Sequence, residues 1–366
     1  MNIIYIEPYL ANSHQSWYQG LKKHSKHSFD ILSLPANKWK WRMHGGAITL
    51  ANMFNELKTK YDLIICSDFL NLPVFRSLTI NNIKQTPIVI YFHENQASYP
   101  WPSNDKDVQL ERDFHYYYIN QTSSLCSSWN FFNSEYHLNS YIEGLSKYLS
   151  KMPDYKNKKT LDMIISKSSV LHLGCNLSKL DHTIIKGDND KPLILWNHRW
   201  EYDKNPELFF KILKRVKSQG FEFELALLGE RFTSYPQTFK DSIAQLNDNI
   251  VVSDYCSPDA YKEWLINADI LPVTSNQDFF GISIMEAIYC NTHPILPNRL
   301  AYKELYNNIK NKEFFYDNDN DLFNKTIQAI KNYKNLKGLS DLTKQYDWNQ
   351  IISKYDSEFE EILSNN

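Results

Sequence analysis

The 366-residue sequence predicts an α/β protein built from two Rossmann-like domains that face each other across a cleft. Three observations carry that prediction. The chain is longer than one ordinary domain of about 100–200 residues. Short β-branched runs alternate with longer amphipathic stretches along most of it, as in a parallel, doubly wound sheet. The alternation stops once, at a polar run of turn-forming residues, and then starts again.

In the first half the runs 3–6, 29–34, 63–66, 88–92, 131–133 and 170–173 read as strands. Between them 14–26, 44–59, 106–125 and 135–151 have helical length and spacing. Residues 177–191, with Gly187-Asp188-Asn189-Asp190-Lys191-Pro192, lack periodicity and read as a linker. Strands then return at 193–196, 223–228, 250–252, 270–273 and 294–296, and helices at 206–219, 259–267, 282–289 and 322–333. The expected domains are therefore 1–176 and 192–345. The amphipathic end of the chain, 346–366, is expected to pack back toward the first of them.

Composition narrows the function. A net charge of -2 excludes a globally basic nucleic-acid coat, although it would hide a local basic patch. Glycine occurs only 10 times, and neither G-x-G-x-x-G nor G-x-x-x-x-G-K-[ST] is present, which disfavours dinucleotide dehydrogenases and P-loop NTPases. Mean hydropathy is -0.51 and no run of 18 apolar residues occurs, so no membrane span is expected. Glu7 interrupts the N-terminal apolar run where a signal peptide would continue it. The five cysteines are scattered without C-x-x-C spacing, so the expected location is the reducing cytoplasm.

The chemistry concentrates at two strand ends of the second half. Arg199 and Lys204 lie between a strand and a helix, where two cations could neutralise a diphosphate. Solvated loop charges would look the same. Asp278 and Glu286 stand eight residues apart around Phe280-Gly281-Ile282, with Glu286 one turn inside an apolar helix. The amides of Gly281 and Ile282 would then offer an anion site, although Asp278 alone could be a plain cap. A buried acid such as Glu286 needs partners, and sugar hydroxyls are good ones. No metal-ligand spacing is visible.

This carboxylate-x7-Glu pattern, together with Arg199 and Lys204, resembles glycosyltransferase family four, whose fold is GT-B. The resemblance implies that Glu286 holds the nucleotide ribose and Asp278 the hydroxyls of the donor sugar. It also implies that Gly229 and Glu230 form a strand-end turn near the base. His93, in Tyr91-Phe92-His93-Glu94-Asn95-Gln96, would contact the donor sugar near the reacting carbon; read alone, it is an ordinary strand-end histidine. Further strings, including Leu34-Pro35-Ala36-Asn37-Lys38-Trp39-Lys40-Trp41-Arg42 and His198-Arg199-Trp200-Glu201-Tyr202-Asp203-Lys204, are similar to the tRNA-queuosine alpha-mannosyltransferase family. That narrower resemblance covers roughly residues 1–345. It implies retaining transfer of mannose from GDP-mannose, as co-substrate and with no cofactor, to the cyclopentenediol of queuosine in tRNA.

On this reading the acceptor is met by Ser13, His14, Lys38, Trp39, Lys40, Trp41, Arg42, Glu94, Asn95, Arg112 and Asp113. Interleaved cations and indoles at 38–42 suit phosphate neutralisation with base stacking, and equally suit an ordinary loop. Lys147, Lys151, Lys156, Lys158, Lys159 and Lys167 form a second basic region. The first loop, Tyr9-Leu10-Ala11-Asn12, lacks the glycine pair usual in the family. A lipid or polysaccharide acceptor, and a catalytically silent tRNA-binding protein on the same scaffold, remain alternatives. No membrane and no obligate protein partner are expected.

Overall fold

The computed structural model describes residues 1–83, 85–102, 105–110, 112–181, 186–229, 237–253, 256–306 and 312–365. The chain forms two compact units: Met1–Asn176 with the segment from Trp348 onward, and Leu177–Asp347.

The first unit holds six parallel strands: β1 Asn2–Leu10, β2 Ser28–Pro35, β3 Leu63–Ser67, β4 Ile88–Phe92, β5 Trp129–Phe132 and β6 Ser168–Val170. Their order in the sheet is β2-β1-β3-β4-β5-β6. Strands β3 and β4 are buried throughout, which explains why they read as continuous apolar runs rather than alternating ones. The final helix, Trp348–Ser364, belongs to this unit. Trp17 Nε1 donates to the Tyr355 hydroxyl at 3.2 Å, and that hydroxyl lies 2.8 Å from the His172 carbonyl. Its first residue, Trp348, lies over Gly20 and Gly174. A Cβ on those glycines would approach the indole to 1.9 and 2.6 Å, so only glycine fits at both.

The second unit is again a six-stranded parallel sheet: β7 Leu193–Trp196, β8 Glu224–Leu227, β9 Ile250–Ser253, β10 Ile270–Pro272, β11 His293–Pro297 and β12 Phe315–Tyr316. The order is β12-β11-β10-β7-β8-β9. The described part of the polar stretch read as a linker is tied to this unit. Lys186 pairs with Asp269 at 2.8 Å, and Asn189 Nδ2 donates to the same carboxylate at 2.7 Å.

Several elements differ from expectation. The stretch 106–125 is two helices, Lys106–Gln109 and Phe114–Cys126, because Asp105 caps the first while Asp105 and Asp107 also bind Lys40. The helix expected over 44–59 is Trp39–Asn55, since Trp39 packs inward and draws the basic–aromatic segment into the first turn. Helices Leu72–Thr79 and Lys159–Ile165 and strand β12 escaped notice because so few residues show no clear period. In such sheets, ligands sit beyond the carboxyl ends of strands where the order reverses. Those points are β1/β3 in the first unit and β7/β10 in the second.

Candidate active site

In the second domain the loop after β7 and the loop after β10 are laced together. Thr274 Oγ1 lies 2.9 Å from the Lys204 carbonyl, and the Asn276 amide donates to the Asp203 carbonyl at 2.7 Å. Lys204 is thereby set between two carboxylates, Asp278 at 2.7 Å and Asp203 at 3.0 Å, and also donates to the Gln277 carbonyl at 2.9 Å. The other Asp278 oxygen accepts from the Tyr302 hydroxyl at 2.5 Å. Burial works against both charges, but Asp278 and Asp203 hold the Lys204 ammonium above its usual range. Against its own burial, Asp278 is held below the usual carboxylate range by Lys204. The two cations expected to act alike are therefore unlike. Lys204 is an enclosed, countered charge, whereas the Arg199 side chain is 54% exposed and pairs with Glu201 at 3.1 Å.

Glu286 stands on the helix Ile282–Tyr289, where Tyr261 donates to it at 3.0 Å. Desolvation pushes its carboxyl up to about 7, against the pull of that hydrogen bond. Gly281 precedes the helix at φ +84, a left-handed conformation that favours glycine, and no side chain caps the first turn. Asn197 Nδ2 donates to the Ser283 carbonyl at 2.7 Å, and His198 Nδ1 lies 3.2 Å from Ser283 Oγ. Burial lowers the His198 ring to about 4, so it is neutral. Gly229 is packed so closely that a Cβ would lie 1.6 Å from the His198 carbonyl oxygen. Phe280 is buried edge-on against Tyr346, leaving only its backbone for a ligand. Glu230 lies outside the described residues.

In the first domain His93 leaves β4 beside His14, their rings stacked at 4.0 Å. The His14 Nδ1 pairs with the buried Glu7 carboxylate at 2.8 Å. The buried Asp68 carboxylate, just past β3, accepts the His93 amide at 2.9 Å. Burial, then Glu94, keeps the Asp68 carboxyl well above its usual range. Glu94 accepts from Gln96 Nε2 at 2.8 Å, and Ser13 is exposed at the start of the helix Asn12–His24. Asn95 is fully buried and closes a turn by accepting from Ser98, so it is not a surface contact. Tyr5, Asp68, Tyr261 and Tyr302 were passed over in the sequence, and Glu7 was read only as a break in an apolar run. For Glu7 a signal existed: a carboxylate inside the apolar run of a central strand must be satisfied by partners.

The basic–aromatic segment divides by side-chain direction. Trp39 packs against Trp101 and Tyr116, and Lys40 is held by Asp105 and Asp107 at 2.7 and 2.6 Å. Trp41 is 66% exposed and lies across Gly45, Lys38 is exposed, and Arg42 Nη2 donates to Asn37. Arg112 is exposed, and Asp113 accepts from the Tyr117 hydroxyl at 3.2 Å. Lys167 departs from the basic-surface reading, because its ammonium donates to the Leu125 and Ser127 carbonyls at 2.7 and 2.6 Å. Among the described residues no His/Cys/Asp/Glu group could hold a metal, and no helix is long and apolar enough to cross a membrane.

Two six-stranded parallel sheets, each with its polar side chains gathered in loops beyond the reversing strands, give the chain the GT-B fold. Residues 179–345 match the family described as glycosyl transferases group 1. Solved structures agree on the fold. Sucrose-phosphate synthase from Thermosynechococcus elongatus aligns over 100% of both chains, with a TM-score of 0.72 and 12% identity. The catalytic domain of starch synthase IV from Arabidopsis thaliana, bound to ADP and acarbose, aligns over 100% of this chain and 99% of its own, also at 0.72 and 12%. Residues 2–175 match the family described as tRNA-queuosine alpha-mannosyltransferase N-terminal. A tRNA-queuosine alpha-mannosyltransferase from Drosophila melanogaster is 29% identical over 333 residues, covering 88% of this chain and 85% of the relative. The resemblance seen in the sequence strings is thereby confirmed.

Proposed function

We propose that the protein is a retaining glycosyltransferase that moves mannose from GDP-mannose to the cyclopentenediol of queuosine at the tRNA wobble position. The observation that carries this reading is the match of the first domain, residue 2 to residue 175, to the family described as tRNA-queuosine alpha-mannosyltransferase N-terminal. The second domain supplies the donor chemistry. When the bond from the sugar to the diphosphate breaks, the nucleoside diphosphate leaves as an anion, so the donor site must stabilise negative charge rather than deliver a proton. Arg199, with the amides of Gly281 and Ile282, meets the diphosphate. Glu286 holds the ribose, and Lys204 orients Asp278 toward the sugar hydroxyls. With both Asp278 oxygens engaged by Lys204 and Tyr302, that carboxylate is a poor nucleophile. This supports front-face attack, in which the leaving phosphate takes the acceptor proton and the transition state is oxocarbenium-like. Protein cations and amides provide the electrophilic assistance, so the proposal includes no cofactor. The five cysteines, scattered without C-x-x-C spacing, suit a reducing cytoplasm.

Incubation with GDP-mannose and queuosine-containing tRNA, followed by nucleoside mass spectrometry, tests the reading. The queuosine nucleoside should gain one hexose mass, and Arg199→Ala should lose the gain. No gain, with clear binding of a different sugar nucleotide, would reject the substrate assignment.

The RNA contact we assign to Lys38, Trp41 and Arg42 makes a separable prediction. Base–aromatic stacking contributes about 1–3 kcal/mol per base. Trp41→Ala should therefore raise the KM for tRNA by about tenfold and leave the melting temperature unchanged, because the indole is largely exposed. Trp39→Ala should lower the melting temperature, since that indole packs among aromatic rings.

A further inference from the structure

The Glu7 carboxylate, which the donor and acceptor assignments leave unused, sits at the centre of a bonded chain that reaches His14 and His93. It is 0% exposed and is met by the Tyr5 hydroxyl at 2.5 Å, the Tyr9 amide at 2.8 Å, His14 Nδ1 at 2.8 Å and Ser67 Oγ at 2.9 Å. An ionised carboxylate only accepts, so each of these partners donates to it. The single Tyr5 hydroxyl proton is thus committed to Glu7. Only lone pairs of that oxygen remain for His93 Nε2, which lies 3.3 Å away. His93 Nε2 must then carry a proton, and a neutral ring has its lone pair on Nδ1.

We propose that Glu7 is a positioning residue that acts through Tyr5 and His14 to fix His93 as the neutral Nε2–H tautomer, so that His93 meets a substrate hydroxyl as an acceptor at Nδ1. The proposal rests on the glycosyl-transfer reading only in supposing that the substrate offers a hydroxyl there. The surroundings of the ring favour the neutral form. His14 stacks on it from the helix Asn12–His24, and Trp17 of that helix meets it edge-on. Glu7 and Tyr5 come from β1, Asp68 follows β3, Tyr91 and Glu94 flank it in sequence, and His137 comes from the helix Glu135–Ser150. Burial, then His14 and His137, push the His93 ring well below its usual range. Burial also opposes charge on His14, but Glu7 and its hydrogen bond outweigh it, and the His14 ring is raised. The opposite shifts favour carrying a proton charge on His14 rather than on its stacked neighbour.

The test is nitrogen-15 spectroscopy of the histidine-labelled full chain, with the His93 ring assigned through His93→Asn. Between about pH 6 and 8 the wild-type ring should show a protonated Nε2 and an unprotonated Nδ1. Tyr5→Phe, which keeps the aromatic ring and the Glu7–His14 pair, should give a mixture of tautomers. Glu7→Gln should discharge His14 at pH 7. An imidazolium or an Nδ1–H tautomer at His93 in the wild type would overturn the proposal. So would an unaltered tautomer in Tyr5→Phe, or a charged His14 in Glu7→Gln. Because these signals come from the ring and not from turnover, they separate this proposal from the substrate assignment: failure to transfer mannose rejects only the latter.

Discussion

Lys204→Met should reduce glycosyl transfer by about 10²-fold, because Asp278 loses the cation that orients it and a small misplacement of a substrate-holding group costs about that much. It should also lower stability. Asp203 is almost wholly buried, and the side chain of Asp278 is 12% exposed, so the substitution leaves two enclosed carboxylates without their cation. Removing one partner from a buried ion pair costs about 3–5 kcal/mol. The double variant Lys204→Met/Asp278→Asn separates the two effects: it should recover much of the lost stability and none of the transfer. The pH dependence follows from the shifts. Asp278 is depressed, so its contribution is present above the ordinary carboxylate range and is lost as pH falls through its lowered pKa. Lys204 is raised, so its contribution is lost only as pH climbs through that raised value. The wild-type contribution of the pair should therefore be flat from about pH 5 to 9. In Lys204→Met the enclosed carboxylates are raised by burial with no cation to oppose it, so the variant should lose further stability as pH rises above the ordinary carboxylate range. A variant whose thermal unfolding shows no such loss would show that the pair is not the cause.

Nucleotide affinity should rise about tenfold between pH 6 and pH 8, through ionisation of Glu286 at about 7. Only the charged carboxylate accepts two hydroxyl protons from a ribose, so the binding-competent fraction grows as the proton leaves. His198, at about 4, is neutral throughout that range and does not compete as the origin of the slope. Calorimetric titration of GDP at both pH values measures the effect, and Glu286→Gln should abolish the slope. Stability runs the opposite way. A carboxyl raised in the folded state keeps its proton where the unfolded chain has lost it, so the wild type loses stability as pH rises from about 4.5 to 7. That loss amounts to about 3 kcal/mol at most. Thermal unfolding of Glu286→Gln should lack it. A persistent slope in the Gln variant would move the titrating group elsewhere.

The strand order could not be read from the sequence, but the sites at the strand ends could. Continuous apolar runs such as Leu63–Ser67 and Ile88–Phe92 announce buried parallel strands, and Glu286 and Gly281 stand out because a helix start rarely needs both. What stayed hidden was the pairing. Lys204 and Asp278 are 74 residues apart, and nothing local says that they share an ion pair. Tyr302 and Tyr261 are two among 24 tyrosines, distinguished only by the carboxylates they reach. The segment 38–42 shows the same limit: alternating cations and indoles suggested one surface, whereas helical geometry turns Trp39 and Lys40 inward and Trp41 outward.

The indole of Trp348 fills the space over Gly20 and Gly174, and the helix that it begins braces Trp17 and Tyr91. The first domain is therefore written in two instalments, with the whole of the second domain between them. During synthesis, residues 1–176 emerge with that face uncovered, and the covering helix follows only after another 171 residues have been made. Folding of the second domain can run to completion in that interval, whereas the His93 end of the first must wait for Trp348 to leave the ribosome. The order of assembly thus reverses the order of translation, and the first domain is the last to become whole.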